Sequence, residues 1–145
     1  MIAYDTNLLV YAHRRESPFH DRAREAVTQT AEGAEPWALL WPCLHEFLGV
    51  VTNPRIFKTP TPMAQALAAV QGWASSPSAI LLSEDAQGYL DVLSRLCLAG
   101  KIQGARVHDA RIAALAIHHR LTALCSADRD FSRFPELKVE NPLVG

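Results

Sequence analysis

Short apolar runs alternate with longer amphipathic segments along the whole of this 145-residue chain, and no other feature constrains its fold as strongly. Ile2-Ala3-Tyr4, Trp37-Ala38-Leu39-Leu40-Trp41, Ala79-Ile80-Leu81-Leu82 and Leu121 to Cys125 have the length and apolar continuity of buried strands. The segments between them repeat at helical spacing. Residues 19 to 31 place Phe19, Ala23, Ala26, Val27 and Thr30 on one face, with Gly33 beyond the end. Pro42 suits the first turn of a helix from Cys43 to Thr52 that buries Leu44, Phe47, Leu48 and Val51. Thr61 followed by Pro62 reads as a cap and first helical residue, with the helix reaching about Trp73. Ser83 is expected to cap a helix through Leu90, Leu93, Leu96 and Cys97 that Gly100 ends. Asp109 opens a further helix with Ile112, Ala113, Leu115, Ala116 and Ile117 as its stripe. Asp128 to Pro135 reads as a polar loop with Phe131 and Phe134 turned inward, and Leu137-Lys138-Val139 as a candidate edge strand.

Strands alternating with helices at this spacing predict an α/β fold with a mainly parallel sheet of four or five strands covered on both faces. The length and a hydrophobic content of 49% predict one domain spanning residues 1-145. A formal charge of -1 argues against a protein that coats nucleic acid electrostatically, although not against an enzyme that touches a few phosphates. Cys43, Cys97 and Cys125 are an odd number without a close pair, which fits buried thiols in a reducing cytosol. The start Met1-Ile-Ala-Tyr-Asp has no basic region ahead of an apolar one, and no later run reaches membrane-spanning length. A soluble cytoplasmic protein without a membrane partner is expected.

Four carboxylates, Asp5, Glu46, Asp109 and Asp128, sit where an apolar segment meets a turn or a helix start. In parallel sheets the functional edge is the one at the carboxyl ends of the strands, and helix starts that follow strands face it too. Singly, each acid suits a turn, a cap or a first helical turn. Together, they would repel one another unless a cation sat among them. An all-oxygen ligand set suits Mg²⁺ or Mn²⁺, and the chemistry that follows is phosphodiester hydrolysis. Thr6, Asn7 and Ser126 can hold the carboxylates by hydrogen bonds, and Arg111 and Arg129 flank acids where they can meet phosphate or pair with the cluster.

Four motifs make the resemblance specific: Tyr4-Asp5-Thr6-Asn7-Leu8-Leu9; Glu46-Phe47-Leu48 with Thr52-Asn53-Pro54-Arg55; His108-Asp109-Ala110 opening an Ala-rich helix; and Ser126-Ala127-Asp128-Arg129-Asp130-Phe131. In order and spacing the chain resembles a PIN-domain ribonuclease of the VapC toxin group from Ile2 to Pro142. The resemblance implies a three-layer α/β/α sandwich, Mg²⁺ or Mn²⁺ dependence, endonucleolytic cleavage of RNA, a homodimer, and neutralisation by a cognate VapB-like antitoxin. It carries over Asp5, Glu46, Asp109 and Asp128 as the acidic quartet, with Asp5, Asp109 and Asp128 on the metal and Glu46 orienting water. Asp130 matches an additional acid of varying role, placed behind the ligands. Apolar residues around Trp73 and Leu90 exceed what a small core needs, which predicts a protein interface there.

Other chemistries fit less well. His45-Glu46 starts like a zincin motif, but position 49 is Gly rather than His. The adjacent His118 and His119 point in different directions on a helix, and the glycines form no nucleotide-binding loop. Two rivals remain: a phosphatase or phospho-acceptor domain using Asp5 as nucleophile, and a non-catalytic module that keeps the PIN fold.

Overall fold

The computed structural model describes residues 1–85 and 87–144. Five strands form one sheet, in which β1 (Ile2–Tyr4), β2 (Trp37–Leu40), β3 (Ala79–Leu82), β4 (Ala123–Cys125) and β5 (Val139–Glu140) are ordered β3-β2-β1-β4-β5. Every neighbouring pair is parallel. Six α-helices connect them among the described residues: α1 (Thr6–His13), α2 (His20–Glu32), α3 (Trp41–Val51), α4 (Met63–Ala74), α5 (Tyr89–Ala99) and α6 (Val107–His118).

Chain order explains the layers. From β1 the chain steps to β2 and then β3 in one direction, so right-handed crossovers place α1 to α4 on one face. The next crossover runs back past β1 to β4, which puts α5 and α6 on the other face. This is the three-layer α/β/α arrangement expected from the alternation of elements. It also makes the gap between β1 and β4 the point where the winding reverses, the usual place for a site in an open parallel sheet.

The central strands are dry. Ala3, Trp37, Ala38, Leu124, Phe47, Val51 and Ala113 are fully buried. Small residues form the buried side of α6, where Ala110, Ala113 and Ala114 have no exposed surface. Tyr4 ties β1 to α2, its hydroxyl lying 3.0 Å from the Ala26 carbonyl oxygen and 2.7 Å from Thr30 Oγ1. Trp73 packs edge-on against Phe47, with centroids 4.9 Å apart, so it belongs to the α3–α4 packing. Leu90 behaves as the interface expectation requires: it is 69% exposed, and Leu98 on the same helix is 81% exposed.

Several boundaries differ from the sequence expectation. Asn7 lies inside α1 rather than in a turn, because Asp5 already caps that helix. Trp41 begins α3 instead of ending β2. The helix expected from Ser83 begins at Tyr89, after Gly88 takes a left-handed backbone conformation at φ 89°, and Ala86 lies outside the described residues. α6 begins two residues before Asp109, following a 3-10 turn at Gly104–Arg106. Part of the expected 128–135 loop is a 3-10 turn, Arg129–Arg133, and the edge strand is Val139–Glu140 rather than 137–139. Phe131 and Phe134 are buried as expected.

Phe47 joins the faces of α1, α3 and α4, touching His13 and Trp73 edge-on. Phe47→Ala should lower unfolding free energy by about 3–5 kcal/mol, measured by urea denaturation, because the cavity it leaves lies in a fully buried layer.

Candidate active site

The register of two strands brings the first acids together. β1 and β4 pair with Tyr4 against Cys125, and the Asp5 N–H extends the ladder to the Cys125 carbonyl at 2.8 Å. The next residues, Asp5 and Ser126, therefore emerge side by side at the carboxyl edge. Ser126 Oγ donates to Asp5 Oδ2 at 2.7 Å and accepts the Asp128 N–H at 3.0 Å. Asp5 Oδ1 accepts the Thr6 N–H at 2.8 Å, which also starts α1. Asp128 Oδ1 then accepts the Asp130 N–H at 2.8 Å and caps the 3-10 turn that follows. Hydrogen bonds thus link Asp5, Ser126, Asp128 and Asp130 in series.

Two helices complete the constellation. Asp109 stands in the first turn of α6, and its carboxylate lies with those of Asp128 and Asp130 so that one oxygen of each falls within 4.8 Å of the others. Glu46 is exposed one turn into α3, and α3 touches α6. Asp5 lies outside that close trio, buried beneath it with 3% of its surface exposed. Asp130, expected behind the ligands, stands within ligand range; its spacing of two from Asp128 fits a side chain that caps its successor's N–H.

Electrostatics reports the crowding directly. Burial pushes the Asp5 carboxyl up to about 6; the Ser126 and Thr6 hydrogen bonds oppose this, and the charges of Glu46 and Asp128 add to it. Asp109 is also raised, first by burial and then by Asp128, Asp130 and Glu46, against a small opposing pull from Arg106. The charges of Glu46 and Asp128 thus reach both Asp5 and Asp109. The donor set is entirely carboxylate oxygen, with two members raised by burial and then by like charge, which fits a hard divalent cation. The Cys43 thiol beneath Asp5 is pushed upward by burial first and then by Asp5, so no soft thiolate is on offer.

The flanking residues divide. Thr6 and Ser126 are both buried; Ser126 meets Asp5 through its hydroxyl, whereas Thr6 meets it through its backbone N–H. Asn7 is half-buried in α1. Arg129 is exposed at the start of the 3-10 turn. Arg111 forms a forked pair with Glu84, with Nε 2.7 Å from Oε1 and 2.9 Å from Oε2, and Tyr89 Oη donates to Glu84 Oε2 at 3.2 Å. Glu84 was not anticipated, since a partner 27 residues away leaves no local signal. Arg111 still lines a cavity of about 510 Å³ between α3 and α6, with His45, Glu46, His108 and Asp109. A larger hollow of about 860 Å³ near the end of α1 lacks any acidic cluster, and its Arg14 is held by Thr59, Thr61 and Phe57.

Comparison with known proteins agrees with this geometry. The PIN domain family model matches residues 2–137, and the chain belongs to the PIN-domain family. It is 34% identical to a Mycobacterium tuberculosis protein named Ribonuclease VapC48 over 142 residues, covering 98% of this chain and 97% of the relative. A Mycobacterium bovis VapC ribonuclease, Mb2897, is 35% identical over 145 residues, covering 100% and 97%. Among solved structures, VapBC2 from Rickettsia felis, bound to a DNA fragment from its promoter, aligns with a TM-score of 0.67 at 23% identity over 97% of this chain and 98% of that one. VapC20 from Mycobacterium tuberculosis, described as a toxin cleaving the Sarcin-Ricin loop, aligns at 0.66 with 17% identity over 91% and 93%.

Asp5 supplies a pH signature. Its folded value near 6 exceeds the ordinary 3.8, so its contribution to stability is fully present below about pH 4 and is lost as pH rises through about 6, a loss of roughly 3 kcal/mol. In chelator, Asp5→Asn should remove this part of the slope and leave the metal-free protein more stable than the parent at neutral pH. Urea denaturation of both proteins across that window checks it.

Proposed function

We propose that this protein is a divalent-metal-dependent endoribonuclease, the toxin of a toxin–antitoxin pair, with the described chain acting as one catalytic domain. The observation that carries the reading is the meeting of Asp5, Glu46, Asp109 and Asp128, joined by Asp130, at the reversal point of a parallel sheet. Family membership supports the nuclease class, and the ribonuclease names of relatives above 30% identity support RNA as substrate.

Asp109 and Asp128 would hold Mg²⁺ or Mn²⁺ directly, with Asp130 in range as a further oxygen donor and Asp5 anchoring the site from below. A cation bound there supplies a polarised water and neutralises phosphate charge. Ser126 fixes Asp5 and Asp128 relative to each other, which spares reorganisation when substrate arrives. Glu46, exposed on α3 and lining the same cavity as Asp109, would orient the attacking water and accept its proton. Arg111, already oriented by Glu84, offers its remaining N–H groups to a phosphate at the cavity wall. Arg129, exposed at the start of the 3-10 turn that follows Asp128, would serve the same purpose.

An Asp5 nucleophile fits poorly, because both its oxygens are engaged and it is almost wholly buried. The described helices include none long and apolar enough to cross a membrane. A second copy and a VapB-like antitoxin are the expected partners. The antitoxin assignment follows the VapBC naming of structural neighbours, and the exposed Leu90 and Leu98 of α5 offer apolar contact surface.

Chelation should abolish cleavage of total RNA, and Mg²⁺ or Mn²⁺ should restore it; undiminished activity in excess chelator would remove the metal mechanism. Asp109→Asn separates the site from ordinary helix chemistry. As a mere first-turn acid its loss would cost about 0.3–1 kcal/mol with little change in activity. As a member of the cluster, its replacement should leave metal-free stability unchanged or raised and shrink the stabilisation that Mn²⁺ gives. Cleavage should fall by orders of magnitude. Thermal melts with and without Mn²⁺, beside a cleavage assay, decide between them.

A further inference from the structure

Two of the three tryptophans are packed into the fold, Trp37 fully and Trp73 against Phe47. Trp41 is not. It begins α3 with 38% of its surface exposed, and its indole faces the His45 imidazole one turn on, with centroids 5.7 Å apart and planes inclined by 32°. Gly49, one turn further along the same stripe, has nothing within 4 Å of where a Cβ would stand. The result is a partly exposed aromatic pair with open space beside Gly49.

Its position relates it to the acids. His45 and Glu46 are consecutive, and both line the cavity that reaches Asp109, His108 and Arg111. His45 thus borders the cleft, and Trp41 lies against the imidazole of His45. That cavity, at about 510 Å³, is of the size that holds small-molecule ligands. Unpaired RNA bases are held by stacking on aromatic side chains, whereas a net charge of -1 gives this chain little general attraction for a polyanion. Beside the few phosphate contacts proposed above, stacking would add affinity that depends on the base.

We propose that Trp41 and His45 form a stacking platform for one unpaired nucleobase of the RNA strand whose phosphate lies at the acidic cluster, an inference that rests on the nuclease reading above. Trp41 takes the base on its open side, and His45 holds the indole at a fixed tilt. The substrate class is therefore single-stranded or looped RNA, since a paired base has no free face to offer. A second copy of this chain is the other occupant for an exposed tryptophan. The charged neighbour Glu46 disfavours it, because interface cores are depleted of charge, and α5 provides a more apolar face.

The test uses full-length protein carrying Asp109→Asn to prevent turnover. Fluorescence anisotropy measures binding of a labelled single-stranded oligoribonucleotide of mixed sequence, and of the same backbone with abasic riboses. Trp41→Ala should weaken binding of the base-bearing RNA by about 5- to 100-fold, leave the abasic strand unaffected, and be largely rescued by Trp41→Phe. His45→Ala should give a smaller loss of the same kind and serves if Trp41→Ala does not fold. Equal loss on both RNAs, no loss on either, or no binding by the Trp41-containing protein would overturn the platform. So would a shift from dimer to monomer on Trp41→Ala in sedimentation. Metal-dependent cleavage of total RNA by the unsubstituted protein reports separately on the nuclease reading, so cleavage without a Trp41 effect sinks only the platform.

Discussion

The parallel pairing of β1 with β4 is the constraint on which the site depends. One register, Tyr4 opposite Cys125, sets Asp5 beside Ser126 at the point where the winding of the sheet reverses. A slip of one residue would turn Asp5 away from Ser126 and present each side chain of the shifted strand to the opposite helix layer. The full burial of Ala3, Ala123 and Leu124 opposes such a slip, so the packing that stabilises the sheet also fixes the acids. Ser126 then spans the reversal point, donating to Asp5 and accepting from Asp128 in one step.

Holding carboxylates this close opposes folding in the metal-free chain. Burial first, with the charges of neighbouring acids adding to it, raises both Asp5 and Asp109 above the ordinary carboxylate value. The Ser126 and Thr6 hydrogen bonds recover part of the cost of burying Asp5. Arg111, by contrast, is stabilised by Glu84 and stands at the wall of the cavity instead of neutralising the acids. Its guanidinium stays available in part to an incoming anion.

Much of this was legible in the sequence, for reasons that differ by element. The strands could be read because a sheet covered on both faces demands continuous apolar runs, as in Trp37 to Leu40. The quartet could be read because strand ends and helix starts must lie at one edge of such a sheet. Boundaries set by single hydrogen bonds could not. Asp5 capping α1 and Asp128 capping a 3-10 turn depend on local geometry that a polar residue in a loop leaves open. The delayed start of α5 depends on the left-handed Gly88, which in sequence is simply one glycine ahead of a helical stripe. The Glu84–Arg111 pair and the proximity of Asp130 to Asp109 are tertiary facts, fixed only once α6 lies against the sheet.

The central claim is that these acids form one cation site, and direct Mn²⁺ binding tests it without reference to RNA. Electron paramagnetic resonance of free Mn²⁺, titrated with the protein, gives the affinity. Asp5→Asn, Asp109→Asn and Asp128→Asn should each weaken binding by at least about tenfold, while Glu84→Gln, outside the cluster, should leave it unchanged. Mn²⁺ binding that is absent in the parent protein, or indifferent to Asp109 and Asp128, would contradict the claim.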